Sequence, residues 1–465
     1  MTNRRDFLKN AACTVGALPI TAKVTAVQAP SSLGPAGSAA DTKKSSVTQV
    51  HLNVRDFGAK GDGATKDTFA VQQALDRCGV LGGGEVLVPA GEYLVGTITL
   101  RSNTTLRIEE TATLKGSPDL ADYPLTQVRW EGRWIKGYPA LVTAVDAENI
   151  TLTGQGKILG NTAIAGRVDR ATGLRHPALL EFVNCRHVRV ENLYTQQNDM
   201  WSIHPVYCED ITFQNVTVHG GADGIDVDSC NHVVIDHCEF NTADDCISLK
   251  SGRGMEGNTI ARPTEDVRIS NCTFHDLHWA CIGIGSETSA GIRNVHVEHC
   301  KCLSAKTFAI YIKSRPGRGA FLENIFMNDL EVSGAQMGFL RLNLLDRGKQ
   351  DEAPVPGNDG IPTIRNFQFR NIRVTDMPVL VEAVNIHPAK PLDGFVLENV
   401  SGTCRKGISL ANMRHVALKG ISVTGYDGPL LSTVNVSGTG LQGATALPPT
   451  KVPDAIMAKE PYTLR

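Results

Sequence analysis

The chain has 465 residues, of which 42% are hydrophobic and only 6% aromatic, with 45 glycines and a formal net charge of −2. That length exceeds what one compact core usually fills, yet no internal linker divides it into two ordinary domains, so an elongated stack of short strands and turns is expected. The charge balance excludes a globally basic surface of the kind that binds nucleic acid.

In chain order, Asn3-Arg4-Arg5-Asp6-Phe7-Leu8-Lys9 followed by the mildly apolar Ala11 to Ile20 reads as a twin-arginine export signal, with cleavage near Ala26. The apolar segment is too short to span a bilayer and no later one is long enough, so a periplasmic or secreted protein without membrane attachment is expected. Loss of residues 1–26 takes the charge from −2 to about −5. An acidic polysaccharide therefore needs local Lys or Arg to bind. Residues 27–48, rich in Pro, Ser, Gly and Ala, read as a disordered linker, and residues 49–465 as a single domain.

Asp67-Thr68 followed by Phe69, Val71, Ala74 and Leu75 predicts an N-capped amphipathic helix that ends at Gly79 and closes one end of the stack. Glu85-Val86-Leu87-Val88 and Thr97-Ile98-Thr99-Leu100 then alternate with period two, as half-buried strands do. Beyond them one short pattern recurs, a turn-type residue followed by alternating apolar residues. It begins at Asn149-Ile150, His187-Val188, Asp210-Ile211 and His232-Val233, and again at Asp266-Val267, Asn294-Val295, Asn324-Ile325, Asn366-Phe367, Gly394-Phe395 and His415-Val416. The copies lie 21 to 42 residues apart, which suits coils with a constant strand frame and variable loops. The fold class predicted is all-β, a right-handed parallel β-helix with an N-terminal capping helix. A leucine-rich horseshoe lacks support because no Leu-rich consensus recurs. Twelve cysteines are present, without the dense spacing of a disulfide scaffold or a metal-type pairing with His. Cys185, Cys208 and Cys230 begin successive repeats while Cys238, Cys272 and Cys300 end them, so they read as buried rungs of a side-chain ladder.

Each coil contains a second strand, and aligning these strands by their apolar residues stacks Ile203, Ile225, Ile247, Ile282, Ile310 and Leu340 in one inward column. Two residues earlier runs the column Trp201, Asp223, Asp245, Ala280, Phe308 and Gly338, because strand side chains alternate faces. Asp223 and Asp245 then lie one coil apart, about 4.8 Å, with Asp244 beside them. Carboxylates so crowded repel each other, a cost that points to catalysis. Glycosidic cleavage needs one carboxyl to protonate the leaving oxygen and another to activate water, and separations of about 6.5–9.5 Å imply inversion. Crowding also raises the pKa of one member so that it keeps a proton.

Gly221-Ala222-Asp223-Gly224-Ile225-Asp226, then Asp244-Asp245-Cys246 and Ser251-Gly252, resemble glycoside hydrolase family 28, the polygalacturonases. So does Asn53-Val54-Arg55-Asp56-Phe57-Gly58-Ala59-Lys60-Gly61-Asp62-Gly63, and the likeness extends over about residues 52–430. The resemblance implies an inverting hydrolase that acts on pectic polysaccharide or oligosaccharide without metal or other cofactor. It makes Asp244 the general acid and sets Asp223 and Asp245 to hold and activate the water.

Two departures from the family pattern stand out. Its Gly-His-Gly is replaced by His278-Trp279-Ala280 ahead of Gly283-Ile284-Gly285-Ser286, which puts Trp279 in the His position, and its Arg-Ile-Lys by Tyr311-Ile312-Lys313. Tyr311 keeps a hydrogen-bonding tip and loses the carboxylate-gripping fork. Trp279 has two readings, stacking on a sugar or packing in its turn, and His278 either fills the vacant His role or is simply solvated. Arg341, one rung beyond Tyr311, is a candidate for the missing cation, with Lys250 and Lys313 similarly placed to contact substrate; Gly283 and Gly285 are expected to leave a floor for a sugar. The insertion between Leu125 and Tyr138, with Trp130 and Trp134, and the segment from Asp346 to Pro362 are expected to wall off one end of the groove, which points toward exo action. The departures leave open rhamnogalacturonan or an unusual oligosaccharide end as substrate. A β-helix polysaccharide lyase and a non-catalytic glycan-binding helix are the alternatives, and a monomer is expected.

Overall fold

The computed structural model describes residues 50–276, 279–346, 348, 351–457 and 462–464. The expected export signal and linker, and His278, lie outside the described residues. Among those described, 31 strands join in one continuous parallel sheet that winds into a right-handed β-helix. One antiparallel hairpin, Thr126–Trp130 with Arg133–Gly137, stands apart from it.

The register is the one the apolar pattern demands. Ile203 pairs with Ile225, Ile225 with Ile247, Ile247 with Ile282, Ile282 with Ile310 and Ile310 with Leu340, and all six are fully buried. On the neighbouring face Ile150, Val188, Ile211, Val233, Val267, Val295, Ile325, Phe367 and Phe395 form a second continuous column. A slip of one residue would turn either column outward, so burial fixes the pairing.

The turn residue that opens each repeat has a conformational reason. Asn149, His187, Asp210, His232, Asp266, Asn294, Asn324 and Asn366 all have φ between 54° and 59°, the left-handed region that Asn, Asp and His tolerate better than other side chains. Their side chains also pair between coils: Asn294 donates to Asp266 at 2.8 Å, Asn324 to Asn294 at 2.9 Å and Asn366 to Asn324 at 2.8 Å. The cysteines form the expected ladder: the Cys185 amide donates to Cys208 Sγ at 3.3 Å, the Cys208 amide to Cys230 Sγ at 3.4 Å, and all three thiols are free and buried.

The capping helix spans Thr68–Val80 and buries Val71, Ala74 and Leu75 against the first strands. Two details differ from expectation. Asp67 does not cap the helix with its side chain; its carboxylate accepts from the amides of Lys60 and Gly61 at 2.7 and 2.8 Å, tying down the preceding loop. Phe69 points outward and is 73% exposed.

Candidate active site

Asp223 and Asp245 lie in the turns that enter the second strand of successive coils, ahead of Ile225–Asp228 and Ile247–Lys250. Backbone bonds carry the strand ladder back into these turns: Ser202 N–H donates to Asp223 O at 3.0 Å, Gly224 N–H to Asp245 O at 3.0 Å and Cys246 N–H to Ala280 O at 2.9 Å. Trp201, Asp223, Asp245 and Ala280 thus occupy consecutive rungs, as expected. Asp244 sits beside Asp245, and its carboxylate accepts the Asp245 amide at 3.0 Å.

Each acid has its own cation. Lys250 Nζ lies 3.0 Å from Asp223 Oδ2, Lys313 Nζ 2.9 Å from Asp245 Oδ2, and Arg167 Nη2 2.6 Å from Asp244 Oδ2. The environments differ sharply in solvent access. Asp223 and Asp245 are 5% and 2% exposed, whereas the Asp244 side chain is 30% exposed.

Burial and the neighbouring charges together set the proton affinities of Asp223 and Asp245. Burial pushes Asp245 upward, Lys313 only partly offsets this, and the carboxylates of Asp223 and Asp244 add to the rise, giving a pKa of about 6. Burial acts on Asp223 too, but Lys250, a side-chain hydrogen bond from Asp226 and Arg167 together hold it below the usual carboxylate range. Asp226, three residues on and fully buried, is pushed far up by burial and by the charge of Asp223, and it also touches Lys250.

Lys250 was expected to contact substrate; it is instead 5% exposed, held between Asp223 and Asp226, and covered by the Trp201 ring at 4.1 Å. Trp201 in turn stacks on Trp130 at 4.6 Å and meets His204 edge-on at 4.9 Å. Lys313 lies at the rim, with 19% of its side chain exposed and the ammonium 5.3 Å from the Tyr311 ring. Tyr311 is largely buried and its hydroxyl accepts from Asn343 Nδ2 at 3.2 Å. Arg341 packs over Tyr311 at 5.4 Å but its guanidinium is ion-paired with Glu382 at 3.0 Å, so its charge is already committed. Trp279 is 43% exposed, and its backbone amide donates to Asp244 O at 3.2 Å.

Gly283 and Gly285, expected as a floor for a sugar, are buried. A Cβ at Gly283 would stand 2.4 Å from Asp245 Oδ2, and one at Gly285 would stand 1.9 Å from the Lys313 carbonyl. These glycines let neighbouring coils and the Asp245 carboxylate approach closely.

Three contributors escaped the sequence reading. Asp226 lies inside the Asp-Gly-Ile-Asp motif, and its place on the outward face between inward Ile225 and Val227, in line with Ser248, was the available signal. Glu287, buried near Lys250, Arg318, Arg253 and Lys313, is held below its ordinary pKa by these cations against burial. Arg167 comes from irregular chain between the strands Lys157–Leu159 and Leu180–Val183, where no repeat places a side chain. The two insertions do meet: Arg253 bridges Glu131 at 3.1 Å and Asp351 at 2.6 Å, and Arg133 pairs with Glu352 at 2.8 Å.

A right-handed parallel β-helix with crowded carboxyls on adjacent coils fits a glycoside hydrolase, the class in which the family match places the chain. The family model for glycosyl hydrolases family 28 matches residues 78–423, and the chain belongs to that family. It is 28% identical over 363 residues to a probable polygalacturonase of Vitis vinifera, covering 74% of this chain and 73% of that one. An exo-poly-alpha-D-galacturonosidase of Dickeya chrysanthemi is 26% identical over 394 residues, 70% of this chain and 62% of the relative. Among solved structures, a hyperthermoactive exopolygalacturonase from Thermotoga maritima superimposes with a TM-score of 0.71 at 26% identity, covering 81% of this chain and 92% of that one.

Proposed function

We propose that the protein hydrolyses the α-glycosidic bonds of a pectic polyuronate by single displacement with inversion, removing units from a chain end. The stacking of Asp223 on Asp245 with Asp244 exposed beside them carries this reading. Asp244 is the member open enough to reach a glycosidic oxygen, and it delivers the proton as the C–O bond breaks. Asp223, kept anionic by Lys250, and Asp245, anionic above about pH 6, hold a water and take its proton while its oxygen bonds to the anomeric carbon from the opposite face. Trp279 offers its exposed ring to a sugar face, and Lys313 reaches the rim beside the buried Tyr311 ring. The exo assignment is supported by the two relatives named for exo-acting enzymes and by the meeting of the two insertions through Arg253.

Around this core we place twin-arginine export by residues 1–26, a linker over 27–48, one catalytic domain over 49–465, and action as a monomer outside the cytoplasm. No described helix is long and apolar enough to cross a membrane.

The test is incubation with polygalacturonate, rhamnogalacturonan and defined oligogalacturonates, with the released reducing ends identified and the first-formed anomer read by proton NMR. Short products from one chain end, born as the β-anomer, are expected. An unsaturated product absorbing in the near ultraviolet would instead reveal a lyase, and binding without turnover that Asp244→Asn leaves unchanged would reveal a non-catalytic module.

A further inference from the structure

The site presents a difficulty for any anionic substrate. Its carboxylates repel a uronate, so a cation must be available to receive one. Lys250 is sealed below the surface, Lys313 is engaged by Asp245, Arg341 by Glu382, and Tyr311 carries no charge. Arg167 is the most open of these cations: its side chain is 39% exposed, against 23% for Arg341, 19% for Lys313 and 6% for Lys250, and among the described residues its guanidinium makes one hydrogen bond, from Nη2 to Asp244. The rest of its five-donor fork is unused.

The loop beneath it is firmly held. Gly166 N–H donates to Asp199 Oδ2 at 2.7 Å, His176 Nδ1 bonds the Gly166 carbonyl at 2.9 Å, and the His176 amide donates to the Arg167 carbonyl at 3.0 Å. Any movement of the guanidinium is therefore a side-chain swing over a fixed backbone.

The partner of Arg167 is also the group that must hold a proton. Arg167 Nη2 donates to Asp244 Oδ2 at 2.6 Å and so covers an oxygen that would have to meet the glycosidic oxygen. Acid catalysis by Asp244 requires that this pair open, and a half-exposed pair opens at little cost.

We propose that Arg167 is the substrate-carboxylate receptor of the site, exchanging Asp244 for the carboxylate of a uronate flanking the scissile bond, so that binding an acidic sugar uncovers Asp244 Oδ2 for the glycosidic oxygen. The proposal rests on the polyuronate reading above. It makes Arg167 a specificity-determining residue: acidic sugars trigger the exchange, and their methyl esters, which present no anion to the fork, do not.

The experiment compares trigalacturonate with its fully methyl-esterified counterpart on the intact protein, Arg167→Gln and Arg167→Lys, by kcat/KM and by calorimetric binding. Arg167→Gln is expected to lose about 10- to 150-fold in kcat/KM on the acid and far less on the ester, so that the preference collapses. Arg167→Lys keeps a point charge without the fork and falls between. Equal losses on both substrates, or no loss, overturn the proposal. Should the intact protein turn over neither substrate, the polyuronate hydrolase reading fails, and the binding arm still decides. A preference for the acid that Arg167→Gln abolishes sustains the receptor, and equal affinities refute it.

Discussion

Replacing Lys250 with Met removes the one cation between Asp223 and Asp226 while keeping an apolar stem of similar reach. The ammonium is 3.0 Å from Asp223 Oδ2, touches Asp226, lies 4.1 Å from the Trp201 ring and is 6% exposed, so nothing in solvent replaces it. Removing one partner of a buried ion pair costs about 3–5 kcal/mol, because a desolvated charge is left behind. The cost depends on pH in a defined direction. In the native protein Asp223 is held below its unfolded pKa, so its contribution is present above that value and lost as pH falls. In Lys250→Met the same carboxyl has burial without its cation and moves above its unfolded value, so its contribution is present at low pH and lost as pH rises through the new pKa. The two effects add: the deficit is the full amount at pH 8 and shrinks at pH 5 toward the lost cation–π contact, about 1 kcal/mol. Urea denaturation followed by tryptophan fluorescence at both pH values measures it. A deficit that is absent at pH 8, or larger at pH 5 than at pH 8, would refute the reasoning.

The pH profile of kcat/KM is expected to rise through an apparent pKa of about 6 that belongs to Asp245. Because Lys313 pulls that value down, Lys313→Met should move the limb to higher pH; an unmoved limb removes Asp245 from the assignment. Asp244→Asn should lower kcat about 10²- to 10⁴-fold with the melting temperature retained, as loss of a general acid does. In Gly283→Ala the new methyl would meet Asp245 Oδ2 at 2.4 Å, so turnover should fall at least about tenfold while stability changes by about 1–3 kcal/mol. Unchanged turnover in that variant would mean that the Asp245 position tolerates displacement. Asn324→Ala forces alanine into a φ of 57° and cuts the ladder on both sides, costing about 1–3 kcal/mol without touching catalysis, as denaturation and turnover together would show.

What the sequence determined by itself was the frame. The inward column from Ile203 to Leu340 and the turn residues from Asn149 to Asn366 were legible because a solenoid repeats one local problem, burying the same strand face on every coil, and each solution leaves the same mark at nearly the same place. The acids followed from that register, since Asp223 and Asp245 are set two residues ahead of inward isoleucines. Tertiary structure decided everything that the repeat does not carry. Lys250 and Lys313 occupy equivalent outward positions in the pattern, yet one is sealed under Trp201 and the other reaches the rim, because the cover comes from a different coil and from the hairpin with Trp130. Gly283 makes room for a carboxylate from the neighbouring coil, a clash invisible along the chain. Arg167 reaches Asp244 from 77 residues away in sequence through an irregular loop. Side chains on strands inherit their positions from periodicity, whereas those on loops are placed only by the hydrogen bonds and ion pairs that close the loop in three dimensions.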